Sequence, residues 1–208
     1  MSGGIFITIE GGEGAGKSTL ISGLEARLRQ AGITCVLTRE PGGTPLAEQL
    51  RKLVLTPPGD AEWSPMATAL LMNAARDDHL LRKIRPALAK GEWVVCDRFA
   101  DSTRAYQSID GVSGSILRQF EDAVLGETRP DLTFILDADP EYLQERRRHR
   151  GTMDTFERKD KAFHQKVRAA FLQIAEDEPD RCAVLDATGQ PGDIIEAAFA
   201  EIEKRFLS

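Results

Sequence analysis

Residues 5–20, IFITIEGGEGAGKSTL, join an apolar, β-branched run to a helical pattern through a loop that is nearly all glycine. Gly11, Gly16, Lys17 and Ser18 satisfy the spacing G-x-x-x-x-G-K-[ST], and Leu20, Leu24 and Leu28 follow at helical intervals. Glycine permits positive φ and lets successive N–H groups face an anion with no Cβ in the way. The N-terminus of the following helix adds roughly half a positive charge. The loop therefore reads as a cradle for the phosphates of a nucleoside triphosphate, formed by Gly11, Gly12, Glu13, Gly14, Ala15, Gly16, Lys17, Ser18 and Thr19. Lys17 can reach the β- and γ-phosphates, and the Ser18 hydroxyl can ligate Mg²⁺. Such a loop needs a strand before it and a helix after it, which commits the chain to an α/β fold.

The rest of the sequence supports that commitment. Apolar runs at 5–9, 34–38, 93–96, 132–136 and 182–185 read as strands, and helical patterns separate them. Parallel strands need crossovers, so the alternation predicts a five-stranded parallel sheet with helices on both faces, of the P-loop NTPase type. Helices are expected over 18–31, in a short piece after Thr44-Pro45, and then in the longest stretch, 64–90, with Ser64 as cap, Pro65 in the first turn and Gly91 as stop. Others are expected over 113–125, 140–148, 160–176 and 192–206. At 208 residues without a linker-like tract, one domain is the default.

Composition narrows the function classes. A net charge of −6 argues against a nucleic-acid binder that works by neutralising a phosphate backbone. No apolar run is long enough to span a bilayer and the N-terminus lacks a signal-peptide pattern, so a cytoplasmic protein with no membrane partner is expected. Cys35, Cys96 and Cys182 are far apart and form no C-x-x-C pair, as expected of reduced core thiols.

In open α/β sheets the ligand sits beyond the carboxyl ends of the strands. After the second strand comes Thr38-Arg39-Glu40-Pro41-Gly42-Gly43-Thr44. A Pro-Gly turn accounts for part of it, but not for the Arg39-Glu40 pair. After the third strand comes Asp97-Arg98-Phe99, followed by Ser102, Thr103, Tyr106 and Gln107. An Asp at a strand end near a phosphate loop can hold Mg²⁺, and the adjoining Arg can grip a second phosphate; a helix N-terminus with a local ion pair is the plainer alternative. The basic run Arg146-Arg147-Arg148-His149-Arg150 can close over transferring phosphate, or can be a solvated helix end. After the last strand, 186–191 either borders a base or is a plain turn.

These segments together resemble the bacterial thymidylate kinases, relatives of the other P-loop nucleoside-monophosphate kinases. The resemblance spans nearly the whole chain and adds Pro130-Asp131-Leu132-Thr133-Phe134-Ile135-Leu136-Asp137 to the motifs above. It implies transfer of the ATP γ-phosphoryl group to dTMP with Mg²⁺, held by Ser18 and Asp97, in a homodimer packed through helices. It also implies that Glu13 holds the sugar 3′-OH, Arg51 and Arg98 the acceptor phosphate, Arg76 the thymine carbonyl, and Thr103 and Gln107 the base edge. Tyr106 crowds the 2′ position, and Arg39 belongs to the same acceptor site. Where many members place Phe against thymine, this chain has Met72, whose thioether can still pack on a ring. Gly14 stands where one variant of the family carries its catalytic Arg. That points to a lid at about 146–158 and to Arg148 and Arg150 as catalytic cations beside Lys17 and Arg98.

A phosphate-monoester acceptor is already an anionic nucleophile, so no general base is required. His79, His149 and His164 read as ordinary surface or helix residues. Two alternatives stay open at this point. One is a kinase for another nucleoside monophosphate. The other, a guanine-reading switch, lacks N-K-x-D, since the sole asparagine is Asn73.

Overall fold

A computed structural model describes residues 3–59, 61–147 and 160–207. It contains one all-parallel sheet of five strands: β1 (Phe6–Gly11), β2 (Cys35–Arg39), β3 (Trp93–Asp97), β4 (Leu132–Asp137) and β5 (Cys182–Asp186), in the order β2-β3-β1-β4-β5. Every expected strand is present, and each runs one or two residues further at its carboxyl end. The apolar run stops there but the ladder does not: Arg39 pairs with Asp97, and Asp137 with Asp186. The charged strand ends thus share one edge of the sheet, the edge on which the phosphate loop opens.

Period-two alternation divides the core between the two faces. Ile7, Ile9, Val95, Phe134 and Leu136 pack beneath α1 (Lys17–Gln30), with Ala198, Phe199 and Ile202 from the C-terminal helix. On the opposite face, Phe6, Val94 and Cys96 meet Leu80 and Ile84, while Ile135 meets Phe163, Val167 and Phe171. The remaining helices are α2 (Pro45–Leu55), α3 (Pro65–His79), α4 (Arg85–Ala89), α5 (Ala100–Ile109), α6 (Gly114–Leu125), α7 (Pro140–Arg147), α8 (Lys161–Asp177) and α9 (Pro191–Ile202). Thr44, Ser64 and Asp160 cap α2, α3 and α8 by accepting backbone N–H groups three residues on.

Some helical expectations change, and the helix expected over 192–206 is α9 continued by a π-helical turn at Glu203–Leu207. The single helix expected over 64–90 is α3 and α4 joined by a π-helical turn at Leu80–Ile84. Pro86 has no N–H to donate one turn back, and the chain widens ahead of it, with the Arg85 N–H reaching the Leu80 carbonyl. Helix α5 occupies the segment after β3, for which a helix N-terminus was the plainer alternative to a site loop. Its N-cap residue, Phe99, has no polar side chain to announce it.

Candidate active site

The phosphate loop is built as its glycines require. Gly11, Gly14 and Gly16 have φ of 130°, 86° and 97°, and a Cβ on Gly11 would lie 2.5 Å from the Leu136 carbonyl oxygen. Gly16 offers no side-chain cap to α1, so the first N–H groups of that helix open toward the loop. Lys17 folds back across it, its Nζ donating to the carbonyls of Gly11 and Gly12 at 3.2 and 3.1 Å. Burial lowers its pKa, and the neighbouring Arg98 charge lowers it further.

A cleft between this loop, the β2 and β3 ends and α3 gathers the predicted acceptor residues. Glu13, Arg39, Arg51, Met72, Arg76, Arg98, Thr103, Tyr106 and Gln107 all line it, together with Gly14, Gly16, Lys17, Ser18 and Asp97. Its polar floor is Arg76, only 2% exposed. The Arg76 guanidinium donates from Nε to Glu40 Oε2 at 2.8 Å, from Nη1 to Asn73 Oδ1 at 3.2 Å, and from Nη2 to the Phe99 carbonyl at 3.1 Å and Thr103 Oγ1 at 2.9 Å. One Nη1 N–H of the five is left over for a ligand. Gln107 Nε2, also buried, has no hydrogen-bond partner. Two donors are thus left unpaired in the lining of the cleft, to which Met72 and Tyr106 also belong.

The mouth is cationic. Arg98 takes a left-handed backbone conformation, φ 64°, unusual for a non-glycine residue, and its guanidinium meets Glu13 at 2.6 Å, Ser102 Oγ at 3.0 Å and the Tyr106 hydroxyl at 3.4 Å. Burial opposes its charge, but Glu13, with Glu10 and Asp97 behind it, more than compensates and holds it charged. Arg51 donates to the Pro41 carbonyl at 2.8 Å, and Arg39 lies at the exposed rim against Glu48 at 3.2 Å.

Asp97 and Ser18 are the candidates for Mg²⁺. Asp97 Oδ1 is buried and has no hydrogen-bond partner. Among the described residues no group of three or more His, Cys, Asp or Glu could hold a metal. One carboxylate and one hydroxyl fit a small hard cation that keeps several waters and takes its other oxygens from phosphate.

A second cavity flanks the same loop on its other side, lined by Ala15, Gly16, Thr19, Leu136, Tyr142, Thr188, Gly189, Gln190 and Pro191. It gives the segment after β5 a ligand-sized neighbour. Gly12 lines a third, smaller space with Leu143 and Phe171.

Three residues at the site carry more than their sequence suggested. Glu40 is buried between Arg76 and His79, with His79 Nδ1 3.0 Å from its Oε1. His79, read as an ordinary surface or helix residue, is a fully buried helix end whose Nε2 lies 2.7 Å from Thr38 Oγ1. Glu10 is fully buried and accepts from Phe99, from the Ser102 backbone and from the Ser102 hydroxyl. Burial, then the Asp101 charge, push its carboxyl up to about 7. The odd carboxylate in an apolar strand was the available signal for Glu10; nothing marked His79. The lid expected at 146–158, with Arg148, Arg150 and His149, lies outside the described residues, as do the side chains of Arg146 and Arg147.

Comparison with known proteins agrees with this geometry. The thymidylate kinase family model matches residues 9–198. A thymidylate kinase of Caulobacter vibrioides is 50% identical, over 97% of this chain and 97% of its own length. One from Deinococcus radiodurans is 48% identical over 99% of both. The crystal structure of thymidylate kinase from Ehrlichia chaffeensis superposes with a TM-score of 0.77 at 32% identity, covering 97% of this chain and 99% of that one.

Proposed function

The chain belongs to the thymidylate kinase family, and on that premise we propose that its cleft transfers the γ-phosphoryl group of ATP to dTMP, giving dTDP and ADP. The observation that carries this reading is the pair of cavities on either flank of one phosphate loop, with Gly16 lining both. A phosphotransferase needs its two anions brought together across such a loop. The cavity beside Thr188–Pro191 takes the adenosine end of ATP, and the polar cleft takes dTMP.

Within the cleft the roles follow from donor placement. Arg98 and Arg51 grip the acceptor phosphate, and Arg39 adds charge at the rim. Glu13 meets the sugar 3′-OH while steadying Arg98. The free Nη1 N–H of Arg76 and the Nε2 of Gln107 meet base acceptors, Thr103 completes that edge, and Met72 packs on the ring. Tyr106 leaves little room for a 2′-OH. Lys17 neutralises charge on the transferring group, and the cations assigned to the lid at 146–158 of this single domain, Arg148 and Arg150, complete the cage. Mg²⁺, held by Ser18 and Asp97, supplies charge neutralisation at the phosphates when bound. No base is needed, since the acceptor phosphate is itself the nucleophile.

We also infer a homodimer packed through helices, for which the outward-facing Met66 and Leu70, one turn apart on α3, and Leu46 on α2 give apolar support. A cytoplasmic location fits the free thiols Cys35, Cys96 and Cys182, and no helix among the described residues is long and apolar enough to cross a membrane. The test of function is a panel of acceptors with ATP and Mg²⁺, read by ADP release. dTMP should turn over best, and dUMP, which lacks only a methyl group, should fall roughly 10- to 200-fold in kcat/KM. Faster turnover of UMP, CMP or GMP would overturn the assignment.

A further inference from the structure

We propose that Glu10 is a positioning residue: through Ser102, it aims the Arg98 guanidinium at the acceptor phosphate. This rests on the role given to Arg98 above.

With Glu10 ionised, the direction of each hydrogen bond is fixed. A guanidinium only donates, so Ser102 Oγ must accept from Arg98 Nη1, at 3.0 Å. The single hydroxyl hydrogen of Ser102 then goes to Glu10 Oε2, 2.6 Å away. Glu10 Oε1 accepts the Phe99 N–H at 2.7 Å and the Ser102 N–H at 3.2 Å. The N-cap of α5 has no side-chain partner of its own, so Glu10, from the strand before the phosphate loop, caps this helix from 89 residues away.

Arg98 is the residue this arrangement restrains. Its φ of 64° lies in the left-handed region, which a residue with a Cβ adopts only at a steric cost. Such a conformation persists only when its surroundings over-determine it. Glu10 provides the restraint on one side by fixing the next residue, Phe99, and by fixing the hydroxyl that receives the guanidinium. Glu13 provides it on the other, at 2.6 Å. Glu10 and Glu13 flank the first glycines of the loop that cradles ATP, so the acceptor grip is built from the ends of the donor loop. Glu10 is itself fully buried and lines no part of the cleft, so it touches neither substrate.

Glu10→Gln, assayed at about pH 8 where the parent carboxyl is ionised, tests this by placing an N–H donor where Ser102 needs an acceptor. The serine hydrogen is then turned toward Arg98, and the link between them is lost with little change of shape. Expected is a rise of about tenfold in KM for dTMP, with KM for ATP within twofold. A merely structural defect would move both. If Glu10→Gln does not fold, the pair Ser102→Ala and Ser102→Thr decides: the first should reproduce the effect and the second, which keeps the hydroxyl, should largely restore KM. Folded Glu10→Gln and Ser102→Ala enzymes with unchanged KM for dTMP, alongside an Arg98→Ala enzyme in which it rises, would overturn the positioning role alone. An Arg98→Ala enzyme with unchanged KM would remove Arg98 from the acceptor site and this inference with it.

Discussion

Replacing Arg76 by alanine should destabilise the fold as well as weaken dTMP binding, because the side chain proposed above to meet the base is also a buried counter-charge. Arg76 and Glu40 are 2% and 4% exposed at the side chain and meet at 2.8 Å. Removing the guanidinium leaves the Glu40 carboxylate in the interior with His79, and it strips Thr103 Oγ1, the Phe99 carbonyl and Asn73 Oδ1 of a donor. Breaking a buried pair from one side costs about 3–5 kcal/mol. Against a total stability of about 5–15 kcal/mol, that is a large fraction. For a chain of this size it corresponds to a melting temperature lower by roughly 6–20 °C. Urea denaturation followed by circular dichroism gives the free energy directly. The double change Arg76→Met with Glu40→Gln removes both charges and should recover at least about 2 kcal/mol of the single-mutant loss, while leaving KM for dTMP high. An Arg76→Ala protein destabilised by less than about 1 kcal/mol, with no recovery in the double mutant, would refute the buried-pair assignment.

Three further outcomes are expected. Lys17→Ala should cut kcat by two or more orders of magnitude, since it removes charge aimed at the transferring group, while the melting temperature stays close to that of the parent; near-normal turnover would take Lys17 out of the mechanism. Asp97→Asn should raise the Mg²⁺ concentration needed for half-maximal activity about tenfold or more with KM for dTMP little changed, and an unaltered Mg²⁺ titration would assign the free Oδ1 elsewhere. Glu10 titrates at about 7 when folded, above the ordinary carboxyl range, so its contribution to stability is fully present at low pH and is lost as pH rises through 7. Between pH 5 and 8 the parent should therefore lose up to about 3 kcal/mol relative to Glu10→Gln, and parallel stability curves for the two would show that burial does not hold the proton on Glu10.

The strands of the sheet and the phosphate loop were legible because their signals are local. Glycine spacing, β-branched runs and the Thr44, Ser64 and Asp160 caps each lie within a few residues of what they specify. The acceptor residues were legible only through resemblance to a family: nothing in the spacing of Arg51, Arg76 and Gln107 says that they share a cleft. Helix α5 stayed only an alternative for a physical reason, since the carboxylate that caps it belongs to β1 and no pattern within 97–107 records a cap. His79 was misjudged for a related one: its partners, Thr38 and Glu40, come from another strand end, and burial of an imidazole depends on partners that single-sequence periodicity does not report.

The partners of each cation in the cleft imply which of them can respond to substrate. Lys17 donates to two backbone carbonyls, neutral acceptors that a phosphate oxygen outcompetes, since a charge-assisted bond is roughly twice as strong as a neutral one. Its amine can therefore leave the loop for an incoming γ-phosphate at small cost. Arg76 is bound to a buried carboxylate and three further oxygens, and moving it would strand Glu40 in the interior. It is a fixed wall, which suits the role proposed for it at the base. Arg98 lies between these extremes: a carboxylate at 2.6 Å and a polarised serine hold it, yet it stands at the mouth, where a dianionic phosphate brings more charge than Glu13 takes away. The strength of these restraints is graded across the site, weakest at Lys17 on the phosphate loop and strongest at Arg76 on the floor of the cleft.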